Sequence, residues 1–284
     1  VTVAFASGRE ATSVSYCDDV SLVYEYAYEK KVQPGVRELF LDDYRIASME
    51  NVQRLVHPGE KTKPLIKPTE PWEGNAAYIY GTVLYNEPAG TGYRMWYTAY
   101  SDRTYYLCYA TSKDGIHWTK PNLGIIEYKG SKNNNICKVG GGSLVYDKDD
   151  KDSNRRYKLM AVFRDGKKFG YGVWFSPDGL RWTGYEGNPV ISYADVCNVT
   201  YDKDKKLFIA STKQRMLVSN TSVTPQKMDR SAFISVSKDF VHWSAPMAPN
   251  SQWTIAVEGD PADDMLVMAR GGLEGQIYGM TLHP

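Results

Sequence analysis

The chain has 284 residues, with 34 basic and 33 acidic side chains, enough to bury the core of one or two ordinary domains. This near-neutral balance leaves no basic footprint for nucleic acid or an anionic membrane, and no apolar run is long enough to insert as a spanning helix. The four cysteines form no CxxC pair, which argues against zinc, while 22 Tyr, 7 Trp and 8 Phe suit either pleated sheet surfaces or stacking on sugar rings.

Residues 1–35, with "YEYAYEKK", match nothing further along and read as an N-terminal extension or cap. The opening "VTVAFASGREATS" lacks the basic start and long apolar stretch of a signal peptide. A secreted or periplasmic location is nevertheless the expectation. The cysteine number permits disulfides without requiring them, and the oligomeric state is left open. From residue 36 to 284 the chain reads as one repeat region, entered through a short strand pair in "RELFLDDYRIASMENVQRLVHPG" (Arg37–Gly59).

The repeat is announced by one turn written three times: "SKDGIHWT" (Ser112–Thr119), "SPDGLRWT" (Ser176–Thr183) and "SKDFVHWS" (Ser237–Ser244). The copies start 64 residues apart (112 to 176) and then 61 apart (176 to 237), and a period of that size is read before anything else. Ahead of each turn stand three β-branched or aromatic runs. In the first copy these are "GTVLYNE" (Gly81–Glu87), "YRMWYTAY" (Tyr93–Tyr100) and "TYYLCYATS" (Thr104–Ser112). The "IHWT" element is the expected fourth strand. Four antiparallel strands per repeat describe a propeller blade, with full blades near 76–120, 138–184 and 195–246 and the start of another at 274. The recurring Trp118, Trp182 and Trp243 are expected to pack between blades. Such a blade set suggests a piece of a longer gene product, or an oligomer that completes the sheet edges.

The segments "LFLDDYRI", "PWEGNAAYIYGTVLYNE", "YRMWYTAY", "YLCYATSKDGIHWTKPNLGIIEYKGSKNNNI" and "SPDGLRWT" together resemble the five-bladed propeller glycosidases, in particular bacterial proteins near glycoside hydrolase family 32 and its family 43 relatives. The resemblance runs from about Glu38 to Pro284. It implies an all-β, five-bladed β-propeller of four-stranded antiparallel blades, incomplete within this chain. It further implies an axial funnel with acidic residues where the innermost strands begin: an Asp as base or nucleophile, a second Asp stabilising the transition state, and a Glu as general acid. Glycosidic cleavage asks for the same parts, a protonated carboxyl at the leaving oxygen and an ionised one on the other ring face.

The carboxylates that could converge there are Asp195 in "YADVCNVTYD", Glu274 in "LEGQIYGM", Glu73 in "PWEGNAAYIYG" and Asp43 in "FLDDYRI". Glu274 is assigned as acid and Asp195 as base or stabiliser, with Asp43 or Glu73 as the remaining carboxylate. The family-32 "NDPNG" motif is absent, and "FRDG" around Arg164 only half resembles its "RDP". Trp72 and Tyr78 are candidates to stack on a sugar, and Asn135, Arg164, Asn198 and Arg230 to bind its hydroxyls. Core packing, salt bridges and blade capping are the competing uses of these residues. The four histidines show no ligand spacing, so no metal ligand is assigned. The acidic runs "DKDDKD" (Asp147–Asp152) and "EGDPADD" (Glu258–Asp264) lack EF-hand spacing, which leaves a structural calcium open and no cofactor assigned. The partner expected is a carbohydrate substrate. A non-catalytic carbohydrate-binding propeller and a protein-interaction propeller are the rival readings, since fold does not settle function.

Overall fold

The computed structural model describes residues 48–53, 55, 62–192, 194–203, 205–218, 227–244 and 254–257, with side chains described throughout except at 214–218, 227–233 and 254–257. The chain divides after Lys61, and the architecture below is that of the second unit. Three antiparallel sheets follow one another, with no α-helix among the described residues. The first holds β1 (Ala76–Tyr85), β2 (Tyr93–Ser101), β3 (Thr104–Ser112), β4 (Trp118–Thr119) and β5 (Ile136–Val139). The second holds β6 (Ser143–Tyr146), β7 (Tyr157–Asp165), β8 (Lys168–Ser176), β9 (Thr183–Gly184) and β10 (Ile191–Ser192). The third holds β11 (Cys197–Asp202), β12 (Leu207–Val218), β13 (Lys227–Ser237) and β14 (Thr254–Val257). Each sheet is a sequential meander, and the first strands β1, β6 and β11 approach one another. These are three consecutive propeller blades seen from their inner strands outward.

The expected fourth strand needs correction. "IHWT" pairs with β3 over only two residues, Thr111↔Thr119 and Ser112↔Trp118. The rest of that edge is taken by β5, through Tyr106↔Val139, Leu107↔Lys138 and Cys108↔Ile136. In the second sheet β9 and β10 divide the edge of β8 in the same way. The cause lies in the repeated turn, which consumes its own amides. Asp114 Oδ1 accepts from the N–H groups of Ile116 and His117, both at 2.8 Å, and Ser112 Oγ accepts from Asp114 and Gly115. Ser176 with Asp178 and Ser237 with Asp239 repeat these bonds. Side-chain acceptors of this kind compete with strand pairing. The turn also needs a left-handed residue, Gly115 at φ +75° and Gly179 at φ +76°. Phe240 takes this conformation in the third copy (φ 67°), with its ring buried against Phe208 and Trp243.

Between the first two sheets Trp96, Leu107 and Tyr109 pack on Leu144, Tyr157 and Leu159, with Trp182 against them. Between the second and third, Met160, Tyr171 and Val173 meet Phe208, Phe240 and Trp243. Trp96 Nε1 also donates to the Gly179 carbonyl at 2.7 Å, tying the first sheet to the second sheet's turn.

At the inner strands the sheets are joined by hydroxyls. Leu144 in β6 turns its amide and carbonyl to the sheet's inner edge, where no strand pairs with β6 among the described residues. Thr82 Oγ1 of β1 donates to the Leu144 carbonyl (2.8 Å) and accepts from its N–H (3.0 Å). One sheet further on, Ser143 Oγ accepts from Val199 N–H of β11 at 3.2 Å. A buried backbone group must find a partner somewhere, and here the preceding blade supplies it. Asn198 stands at the corresponding position of the third sheet, three residues before its Tyr201, as Thr82 and Ser143 do before Tyr85 and Tyr146.

Candidate functional site

This common register shows where the inner strands open. Three residues before Thr82, Ser143 and Asn198 stand Ile79, Gly140 and Asp195. Of these only Asp195 carries a carboxylate. Its side chain is 33% exposed and ion-paired with Lys213 of β12, whose side chain is 2% exposed. The Asp195 N–H donates to the Tyr171 hydroxyl at 3.1 Å, and that hydroxyl lies within donating distance, 2.9 Å, of the Val196 and Lys213 carbonyls. Burial pushes the Tyr171 phenol far above its ordinary range, so it remains a protonated donor. The arrangement is a carboxylate open to solvent on one side, with a buried ammonium and a fixed loop behind it.

Glu73 is placed very differently. It ends a short 3-10 turn (Pro71–Glu73) and is fully buried. Its Oε2 accepts from the N–H of Thr69 (2.7 Å), the N–H of Glu70 (2.9 Å) and Lys120 Nζ (2.7 Å), and its Oε1 from the Tyr97 hydroxyl. Four protein donors occupy this carboxylate, the geometry of an anchor. Asn135 continues the network: its amide donates to Tyr97 Oη at 2.8 Å and the Tyr109 carbonyl at 2.7 Å, and it accepts from Trp72 Nε1 at 2.7 Å. Trp72 also meets Tyr128 edge-on at 6.1 Å. Trp72, Asn135 and Glu73 are therefore one interior cluster of the first sheet.

Arg164 is exposed at the far end of β7, stacked over Phe169 at 4.6 Å, at the same end of the sheets as Asp195. Asn198 lies in β11, opposite Ser211. Tyr78 is half-buried in β1 beside Tyr80, with ring centroids 5.3 Å apart. Arg230 lies on β13 opposite Arg215, its side chain outside the described residues. Asp43 and Glu274 also lie outside the described residues, as does the acidic run Glu258–Asp264. The other acidic run folds around a lysine: Lys158, buried in β7, pairs with Asp147 at 3.3 Å and with Asp150.

Sequence reasoning missed Lys213 and Tyr171, because a lysine and a tyrosine inside strands read as ordinary surface or core. Only strand register reveals the lysine: Lys213 follows the residue that pairs with Cys197, which sets it beside the entry to β11.

No protein-family model matches the chain, and no curated protein matches it. Solved structures do. A fructofuranosidase from Schwanniomyces occidentalis is 16% identical at TM-score 0.42, covering 61% of this chain and 38% of its own. A glycosyl hydrolase from Bacteroides ovatus is 17% identical at TM-score 0.41, covering 66% and 54%. An N-acetylgalactosamine deacetylase from F. plautii, in complex with blood group B trisaccharide, is 15% identical at TM-score 0.40, covering 64% and 54%. The chain thus spans about two-fifths to just over half the length of these three proteins.

Proposed function

We propose that this chain belongs to a bacterial five-bladed propeller enzyme that cleaves glycosidic bonds in a poly- or oligosaccharide. The observation that carries this reading is Asp195: a partly open carboxylate at the start of an inner strand, backed by a buried cation. An ion-paired carboxylate suits the base or transition-state-stabilising role, in which negative charge must face the developing oxocarbenium ion. Glu274 is the proposed general acid, delivering a proton to the leaving oxygen, and Asp43 the further carboxylate. Lys213 and Tyr171 act through Asp195 by fixing its side chain and loop. Tyr78 and Arg164 are proposed to touch the sugar, and a secreted or periplasmic location is proposed with them. No cofactor is proposed, because paired carboxylates need none for this chemistry.

The test is hydrolysis across aryl glycosides and polysaccharides, comparing the parent with Asp195→Asn and Glu274→Gln. A general acid or base contributes roughly 10²–10⁴-fold, so turnover by the folded fraction of both variants should fall by at least about a hundredfold. A parent that retains oligosaccharide but cleaves none would instead fit a binding propeller.

A further inference from the structure

We propose that Tyr78, Tyr80, Tyr100 and Tyr105, set beside the side-chain-free run Gly140–Gly142, form a stacking subsite for a neutral saccharide at the mouth between the first and second sheets. This rests on the glycosidase reading and names the part of the substrate that the first sheet holds.

Strand register assembles the wall. Tyr100 pairs with Ala76 on one side and Tyr105 on the other, while Tyr78 pairs with Thr98. Alternation along the strands puts Tyr78, Tyr100 and Tyr105 on one face of the sheet. Deeper on that face Trp96, Leu107 and Tyr109 pack against the second sheet, so the tyrosines stand where the inter-sheet space opens. Tyr80 lies within the irregularity between Tyr78 and Thr82 and keeps its ring beside Tyr78. The Tyr100 and Tyr105 rings lie 4.6 Å apart at 42°. Burial, then the nearby hydroxyls of Tyr105, Tyr80 and Tyr100, raise the Tyr78 phenol above its ordinary range. Yet the wall is not sealed: Tyr80 is 41% and Tyr105 50% exposed.

The opposing chain has been cleared of side chains. Gly140 N–H donates to the Tyr105 carbonyl at 2.7 Å, which fixes the run against the wall. A Cβ on Gly141 would come within 2.8 Å of Thr98 Oγ1, and one on Gly142 within 2.5 Å of the Met160 carbonyl. Only glycine fits this close approach. Flat rings rimmed by hydroxyls match a pyranose, which offers an apolar C–H face and polar edges. Neither wall nor glycine run carries charge. Lys138, whose Nζ comes 3.4 Å from the Cβ position of Gly140, lies 4.0 Å over the Trp174 ring and donates to the Val139 carbonyl at 2.8 Å. These features select a neutral sugar over an acidic one.

The experiment is affinity electrophoresis in soluble β-glucan, xylan, galactomannan and inulin, with anionic alginate as contrast, at about 0.05 M and about 0.5 M NaCl. The proteins are the parent, Tyr80→Ala, Tyr105→Ala, the double variant and Tyr105→Phe. At least one neutral polymer should retard the parent independently of salt. Each alanine variant should lose about tenfold in affinity, the double variant more, while Tyr105→Phe stays near the parent, all with unchanged melting. The subsite is overturned if no neutral polymer retards the parent, if alginate is preferred, or if the double variant binds as the parent does. Tyrosine-dependent retention without hydrolysis would sink the hydrolase reading alone. Hydrolysis with tyrosine-independent retention would sink the subsite alone.

Discussion

Thr82→Val tests how the blades are joined. Valine keeps the shape of threonine and removes only the hydroxyl, which serves both the N–H and the C=O of Leu144. Leu144 is buried at 1% exposure, and among the described residues no strand pairs with that edge of β6. Two backbone groups lose their partner and are left desolvated, at about 1–3 kcal/mol each where water stays out, or about 2–6 kcal/mol together. Partial access of water through the half-buried Thr82 side places the sum nearer the lower end, about 2–4 kcal/mol. Urea unfolding followed by tryptophan fluorescence reads it as a midpoint lowered by about 1 M, for a slope of about 2–3 kcal/mol/M. Thr82→Ser should recover most of the loss, because the second sheet uses serine at the same register. Ser143→Ala removes a single acceptor from Val199 N–H and should cost about half as much. A Thr82→Val midpoint within error of the parent would refute the latch.

Gly179→Ala should cost more than Gly115→Ala in the same unfolding assay. Both are left-handed, but the new methyl would lie 2.8 Å from Trp96 Cζ2 at Gly179 and 3.3 Å from Tyr93 Cζ at Gly115. The ring nitrogen of His117, then the amides of His117 and Ile116, hold the Asp114 carboxyl well below the ordinary range. A depressed folded value means the stabilisation is present above the unfolded pKa of about 4 and is lost as pH falls toward the folded value. Asp114→Asn should therefore flatten the acid limb of a melting-temperature profile below about pH 4 and leave its shape above about pH 6 unchanged. Burial pushes the Cys137 and Cys197 thiols up to about 12 and the Cys108 thiol higher still. A disulfide-exchange reagent at pH 8 should modify these three only at the rate of unfolding, as peptide mapping of the labelled sites would show.

The blades were legible because their signal is local and repeated. A Ser-x-Asp turn at even spacing closes on itself whatever surrounds it, and three aromatic runs before it need only alternate. The composite outer edge was not legible. Nothing local shows that Asp114 and its equivalents take the amides of "IHWT", or that β5 arrives from some twenty residues downstream to finish the edge of β3. The first inner strand was read from Gly81, yet it begins at Ala76, because the irregularity after Tyr78 breaks the alternation that marks a strand. Asp195 could be found by position alone. Lys213 could not, since the burial of an ammonium depends on a partner eighteen residues earlier in the chain.

Glu73 and Asp195 show the limit of choosing carboxylates by position, and together they make the final prediction. Both precede an inner strand, and nothing in their immediate neighbours separates them. The structure surrounds one with donors and leaves the other half open. Glu73→Gln removes the charge opposite Lys120, 14% exposed, and replaces one acceptor oxygen with an amide donor facing groups that already donate. Breaking a buried pair from one side costs roughly 3–5 kcal/mol, moderated here because glutamine keeps one acceptor, so about 3 kcal/mol is expected. Asp195→Asn removes the carboxylate opposite Lys213, 2% exposed, but the 33% exposed side of residue 195 admits water and asparagine keeps one acceptor, so a smaller loss of about 1–2 kcal/mol is expected. Stability and turnover should then part company: Glu73→Gln lowers the urea midpoint by more than Asp195→Asn does while its folded fraction turns over like the parent, and folded Asp195→Asn loses turnover. Should Glu73→Gln melt like the parent and lose turnover, its four donors would be positioning a reactive group rather than an anchor, and the roles of the two carboxylates would have to be exchanged.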